Sequence, residues 1–383
     1  MVRLGVIGLG AAGQAFLPAI ERHPAFTIAA VCDRQPSPRS EAAEKYGARA
    51  YADLSELLND GALDAVYIGT PTELHFEHAS AALEAGLHVL LEKPMTIRLA
   101  DALALAEFAE RAGRALTVGH SHSHDLPIRT MREIILSGRL GAPRMINTWC
   151  FSEWVYRPRR PDELRPELGG GVTFRQGGHQ FDILLALALS DVVSVKARTF
   201  DFDPSRSTIG AHSVMLDFAN GAIGTAIYNG YGFFQSSELT EGMGEWGFPV
   251  VPPEVHPRRA EASGVDELAR KARRARTAIR NDAPAQPQFG LTLVSCERGD
   301  MRQTPKGLLI YTEDGREERI LPTDRSPRDL VLDEFADAIA GRPVPHDARR
   351  GAAVVEICEA VLRSAQEGRE IRIAERSPEG VHG

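Results

Sequence analysis

Two clusters in this chain have the residue types and spacing to do redox chemistry. The first is Gly8-Leu9-Gly10-Ala11-Ala12-Gly13, a GxGxxG run with Asp33 twenty residues beyond its last glycine. An apolar run precedes it and helical spacing follows it, the setting in which this pattern binds a dinucleotide. Gly8 permits a tight turn, Gly10 lets backbone approach a pyrophosphate, and Gly13 lets the helix pack on its strand. The helix start at Ala11 and Ala12 offers unpaired N–H groups and a positive dipole end to phosphates. Asp33 would accept from ribose hydroxyls and repel a 2′-phosphate, which favours NAD; Arg34 beside it leaves NADP open.

The second cluster is Lys93, followed by Pro94, and the segment Arg175-Gln176-Gly177-Gly178-His179-Gln180-Phe181-Asp182. Moving a hydride from an alcohol to nicotinamide requires the hydroxyl proton to leave as well, so the site needs a base with a pKa near the working pH. Histidine meets that need without adjustment. His179 is expected in the first turn of a helix, whose positive end keeps the ring neutral, with Asp182 one turn on to orient it. Lys93 is expected at the C-terminal edge of a parallel sheet, where α/β proteins bind ligands. Arg157, Arg159 and Arg160 in a Pro-rich loop, and Arg175, have the fork that grips carboxylates. Loop arginines also commonly pair with nearby acids, here Asp162, Glu163 and Glu167.

His120, His122 and His124 precede Asp125, and alternation along an extended segment would turn all three rings to one side. Three such ligands could hold zinc. Hydride transfer to NAD needs no metal, and none is expected. Residues 270–280 are strongly basic and are read as a solvated helix face.

These residues need elements to position them. Apolar runs at Arg3–Gly8, Thr27–Asp33, Ala65–Thr70, His88–Leu91 and Ala115–Gly119 alternate with helical stretches at Ala11–His23, Glu73–Ala85 and Leu99–Ala112. That rhythm predicts a doubly wound parallel sheet. After residue 124 the pattern changes. A helix is expected over Asp125–Ser137, a strand over Arg144–Phe151 and a helix over Gly178–Leu189. Strands at Ser194–Phe200, His212–Phe218 and Ala222–Tyr228 follow without intervening helices, the last two turned at Asn220-Gly221. Leu308–Tyr311 and Glu318–Leu321 make a second hairpin, and helices over Pro327–Ala340 and Ala348–Glu367 close the chain. Residues 240–290 are irregular, and the last ten or so are polar.

Composition bounds the function. The chain has 383 residues, 44 basic and 52 acidic, for a net charge of −8. That balance disfavours non-specific nucleic-acid binding. Cys32, Cys150, Cys296 and Cys358 form no CxxC pair, which fits a reducing cytoplasm. The N-terminus enters a strand pattern at once, so no signal peptide is expected. No uncharged apolar run approaches ~18 residues, so no membrane span is expected.

Gly69-Thr70-Pro71-Thr72-Glu73-Leu74-His75 ends one strand and Glu92-Lys93-Pro94 the next. With the glycine motif and the GGG…GGHQFD segment at 169–182, the sequence resembles the glucose–fructose oxidoreductase/inositol dehydrogenase (Gfo/Idh/MocA) family over nearly its whole length. The resemblance implies a Rossmann domain and a second domain whose open, mostly antiparallel sheet faces the active site, its back forming a dimer or tetramer interface. It places Thr70, Pro71, His75, Glu92 and Lys93 at the cofactor, and Lys93 and His179 at the reacting oxygen. It also places His120 and His122, which follow the last Rossmann strand, along the substrate pocket, with Gln176 and Asp182 beside them. The family's second motif commonly reads D-x-G-x-H-x-x-D; here Arg175 replaces the first Asp, which makes an inositol-type substrate less suitable. A narrower resemblance, carried by VGHSHSHDLPIRTMREIILSGRLG and YRPRRPDEL, is to the 4,5-dihydroxyphthalate dehydrogenases within this family.

The expectation is therefore an α/β plus α+β protein: a Rossmann domain over 1–124 and a substrate-binding, oligomerising domain over 125–383. The expected activity is NAD(P)-dependent oxidation of a cyclic alcohol, favouring a carboxylated cis-dihydrodiol of the phthalate type held by Arg157 and Arg175. A sugar, sugar acid or cyclitol is the alternative substrate. A non-catalytic, NAD-responsive regulator is the alternative from another class.

Overall fold

The computed structural model describes residues 1–251, 256, 267, 270, 271 and 282–373. The basic residues 272–280 and the polar C-terminal ten lie outside the described residues. Short, doubly buried strands build the first sheet. They are β1 (Val2–Ile7), β2 (Phe26–Cys32), β3 (Arg49–Tyr51), β4 (Ala65–Ile68), β5 (His88–Leu91) and β6 (Leu116–Val118). They run in the order β3-β2-β1-β4-β5-β6, all parallel. The order reverses between β1 and β4, which opens a crevice at the carboxyl ends of the strands. Helices α1 (Ala11–Arg22), α2 (Pro36–Tyr46), α3 (Leu54–Leu58), α4 (His75–Glu84) and α5 (Leu99–Ala112) make the crossovers. The sequence reading missed β3, whose three residues are largely exposed at the sheet edge and carry no apolar run.

The second sheet has nine strands: β7 (Pro143–Phe151), β8 (Val192–Phe200), β9 (Ala211–Phe218), β10 (Ile223–Asn229), β11 (Leu291–Cys296), β12 (Gly299–Thr304), β13 (Gly307–Thr312), β14 (Gly315–Ile320) and β15 (Ile371–Arg372). Their order is β14-β13-β12-β11-β7-β10-β9-β8-β15. Every neighbouring pair is antiparallel except β7 with β10. Asn220-Gly221 turns β9 into β10, with Gly221 at φ +82°. Among the described residues, three helical elements lie between β6 and β8: α6 (Leu126–Leu136), the short α7 (Pro161–Leu164) and the wholly buried α8 (Gly178–Ala188).

The last two helices, α9 (Pro327–Ile339) and α10 (Ala348–Glu367), return to the first sheet. Val331, Leu332 and Phe335 of α9 join Leu4, Phe16 and Phe26 in one buried cluster, with Phe335 stacked on Phe26 at 5.8 Å. α10 packs against α5 on one side and β8 on the other. Ser326 and Asp329 cap α9 reciprocally, which fixes where the following residues enter the crevice. No helix among the described residues is long and apolar enough to cross a membrane.

Candidate active site

The glycine motif turns between β1 and α1. Gly8 has φ +89°, and a side chain there would strike the backbone of Gly69 and Thr70 at 2.8–2.9 Å. A Cβ on Gly13 would lie 2.0 Å from the Gly8 carbonyl oxygen. A Cβ on Gly10 would meet nothing within 4 Å. The space before Gly10 is therefore a cradle rather than a packing contact, and the adjoining N-terminus of α1 has no side-chain cap. An anionic pyrophosphate fits both features. Asp33 closes the loop: its carboxylate accepts from Leu9 N–H at 2.7 Å and Gln35 N–H at 2.8 Å. Thr70 borders the glycine turn with Pro71 next in the chain, while Arg34 is exposed beyond Asp33.

A cavity of about 550 Å³ runs from Ala11, Ala12 and Phe16 past Glu92, Lys93 and Gly119 to Arg157, Gln176 and His179 of the second half. Lys93 lies just past β5, and its Nζ donates to the Arg175 carbonyl at 2.8 Å. Burial lowers its pKa to about 8, against the pull of Glu92. Glu92 is fixed by Tyr67 Oη at 3.0 Å and Lys93 N–H at 3.2 Å, and burial raises its own pKa. His179 is 4% exposed, and its Nδ1 has no hydrogen-bond partner among the described residues. Burial, then the charge of Lys93, holds its pKa well below the usual value. His122 meets the His179 ring edge-on at 4.7 Å and stacks on Phe289 at 4.3 Å.

Several expectations are corrected. His179 does not begin a helix: helical backbone runs over 172–188, with a π-helical stretch at Thr173–Gly177, so the ring is about two turns in. Its neutrality comes from burial and Lys93, not from a helix end. Asp182 does not orient it. Its Oδ1 accepts from Arg350 Nε at 2.8 Å, and its Oδ2 faces His346 Nε2 at 3.2 Å. His75 does not face the crevice; it is fully buried, with its two ring nitrogens on the carbonyls of Pro94 (2.8 Å) and Thr70 (2.9 Å). It braces the strand ends. Arg175 does not line the cavity. Its backbone carbonyl holds Lys93, and its guanidinium reaches Thr72 Oγ1 at 3.1 Å and Asp162 at 3.5 Å.

The histidine triple also divides. Ser121–His124 is a 3-10 turn, not an extended segment, so alternation does not apply. His120 is buried with neither ring nitrogen partnered among the described residues, and burial lowers its pKa to about 3. His122 lies 3.1 Å from Asp125 and 3.5 Å from Glu245; burial opposes its protonation, but these two carboxylates push its pKa up. His124 turns away toward α9. Arg160 pairs with Asp162 at 2.8 Å, one of the nearby acids open to the loop arginines.

Three cavity residues had no sequence signal. Glu245 bridges His122 and Arg157, the latter at 3.4 Å. Trp246 carries the Arg328 guanidinium over its ring at 4.4 Å. Arg328 arrives from the first turn of α9, some 235 residues beyond Lys93. Glu245 and Trp246 fall in the irregular stretch where periodicity is silent, and only folding brings Arg328 to the crevice.

A dinucleotide cradle opening onto a buried lysine and histidine is the site of a nicotinamide-dependent dehydrogenase. Comparison with known proteins specifies the family. Residues 2–120 match the oxidoreductase family with the NAD-binding Rossmann fold, and residues 128–235 match the GFO/IDH/MocA C-terminal domain. The chain is 34% identical, over 95% of both sequences, to 1-carboxy-3-chloro-3,4-dihydroxycyclohexa-1,5-diene dehydrogenase of Comamonas testosteroni. A dehydrogenase from Bordetella bronchiseptica RB50 superposes with a TM-score of 0.90 at 36% identity, covering 97% of this chain and 100% of that one. The WlbA dehydrogenase of Bordetella pertussis, solved with NADH and UDP-GlcNAcA, shares the fold with a TM-score of 0.71 at 22% identity, covering 98% and 99%. The chain belongs to the Gfo/Idh/MocA family and is an NAD(P)-dependent dehydrogenase.

Proposed function

We propose that the protein oxidises a carboxylated cyclic cis-dihydrodiol to the corresponding catechol. The observation that carries this reading is the charge of the cavity wall. Lys93, Arg157, Arg159, Lys271 and Arg328 line it against Glu92, Glu153 and Glu245. Arg157 is matched by Glu153 at 2.8 Å and by Glu245. Arg328 has no ion pair among the described residues. A half-buried guanidinium stacked on an indole is a ready partner for a carboxylate on a flat ring. The Comamonas relative's name, a carboxylated chlorinated dihydrodiol, supports the same class.

Bound NAD supplies the hydride acceptor. The chain's residues manage the proton. Lys93, with a pKa near 8, takes the hydroxyl proton in its neutral form, because a base works best when its pKa lies near the operating pH. His179 is too strongly depressed to hold a proton well, and serves as a neutral hydrogen-bonding partner for the same oxygen. This exchanges the parts that sequence alone assigned to the pair. Loss of hydride and proton leaves a ring ketone that aromatises to the catechol, which drives the reaction forward.

Arg328→Met tests the carboxylate contact. KM for a carboxylated dihydrodiol should rise at least ~10-fold, the scale of a lost charge-assisted bond. KM for its carboxylate-free analogue and the affinity for NAD should stay within twofold. A loss confined to NAD affinity would assign Arg328 to the cofactor instead.

A further inference from the structure

Behind the active site, and outside its cavity, a second cluster of chemistry-bearing side chains gathers from three separate parts of the chain. His124 comes from the 3-10 turn after β6, Glu334 from α9, and His346 from the segment before α10. His124 Nε2 lies 2.8 Å from Glu334 Oε2, and His346 Nδ1 lies 3.0 and 3.1 Å from the two oxygens of the same carboxylate. We propose that these three side chains form a site for a divalent first-row cation of the zinc type, tying the C-terminal segment to the histidine turn.

Four features support a ligand set over an incidental hydrogen-bonded cluster. First, the donor set is chemically apt: two imidazoles and one carboxylate suit zinc and its neighbours. Second, the far nitrogen of each ring is already committed. His124 Nδ1 donates to the His120 carbonyl at 3.1 Å. His346 Nε2 faces Ser123 Oγ at 2.8 Å and Asp182 Oδ2 at 3.2 Å. Outer partners of this kind, a carbonyl on one ring and a carboxylate on the other, orient metal-binding histidines and fix their tautomers. Third, the spacing is close to what a metal needs. Bonds of ~2.0–2.1 Å in a tetrahedron put ligand atoms about 3.3 Å apart; Glu334 lies 2.8–3.1 Å from each imidazole and the three donor atoms lie within 4.8 Å of one another, so an ion entering draws the two rings together around the carboxylate. Glu334 is further fixed by accepting from the His346 backbone N–H at 2.7 Å. Fourth, the cluster opens onto a cavity of about 840 Å³, in whose lining carboxylates outnumber arginines. That cavity provides an entry path and solvent for the remaining coordination positions.

The consequence lies in positioning. His124 shares its turn with His120 and His122, and His346 contacts Asp182 one turn beyond His179. An ion here would tie the histidine turn to the helix that carries His179 without touching substrate.

The test uses tag-free, full-length protein stripped with chelator and dialysed. Calorimetric titration with ZnCl2, with metal content measured after desalting, should give one equivalent retained. CoCl2 should give the visible absorption of four-coordinate Co²⁺. Glu334→Gln, nearly isosteric, and His346→Ala should each weaken binding at least tenfold and abolish the cobalt spectrum. Glu133→Gln, on the same cavity wall but outside the cluster, should retain both. Circular dichroism and NAD binding report whether each variant is folded. No saturable zinc binding by the wild type, or equal retention by Glu334→Gln and wild type, would overturn the proposal. If His346→Ala fails to fold, Glu334→Gln and the wild-type cobalt spectrum still decide it.

Discussion

Lys93 and His179 show how burial alone can divide labour between two basic groups. Both line one cavity, and desolvation leads both shifts, yet the lysine comes to rest near the working pH and the histidine far below it. The sign for Lys93 follows directly. Its folded pKa is lowered from 10.5 to about 8, so the neutral amine dominates above about pH 8. kcat/KM for alcohol oxidation should therefore climb as pH passes about 8 and then level off. Lys93→Arg, charged at every accessible pH, should remove that rise and lower kcat by ~10²–10⁴-fold, with NAD affinity little changed. A flat pH profile in the wild type would contradict the assignment. Between about 8 and 10.5 the unfolded chain holds a proton that the folded chain has released, so this group adds stability as pH rises through that window. At this scale the sequence was half legible. The identities of Lys93 and His179 could be read from their motifs. Their relative pKa values depend on burial, and the true partners of Asp182, Arg350 and His346, lie more than 160 residues away.

At the scale of elements, the glycine turn separates packing from binding within six residues. Gly13 is pressed against the Gly8 carbonyl, while Gly10 faces open space. Gly13→Ala should destabilise the fold by ~1–3 kcal/mol through overpacking, seen as a lower Tm. Gly10→Ala should leave stability within ~0.5 kcal/mol but weaken NAD binding at least tenfold in a fluorescence titration. Equal NAD affinity in Gly10→Ala and wild type would mean that the cradle holds something else. The strand–helix alternation of the first sheet was legible because each βα unit carries its own apolar run and turn. Helical backbone before His179 was not, because glycines at 169–171 and 177–178 bracket it and it includes a π-helical stretch that no 3.6-residue period describes. β11 and β12 were missed because their inward positions mix Thr, Gln and Val rather than repeating one apolar type.

At the scale of the molecule, one face of the second sheet packs on helices and the other is open among the described residues. Met145, Trp149, Met215 and Ile223 are 39–54% exposed on that open face, and register places Ile223 beside Met145. We propose that a second copy of the chain covers this face. Trp149→Arg combined with Met215→Lys should shift sedimentation from dimer or tetramer to monomer; a wild type that sediments as a monomer would contradict it. The C-terminal helices bind the two sheets together, and α9 delivers Arg328 to the crevice, an arrangement that local sequence patterns cannot express. The most direct test of the whole account is NADH formation, followed by its near-ultraviolet absorbance, when pure protein meets NAD and the cis-4,5-dihydrodiol of phthalate. The account predicts steady formation that falls at least a hundredfold in Lys93→Ala while NAD still binds. No NADH from this or any carboxylated dihydrodiol, alongside turnover of a neutral cyclitol or sugar, would contradict it.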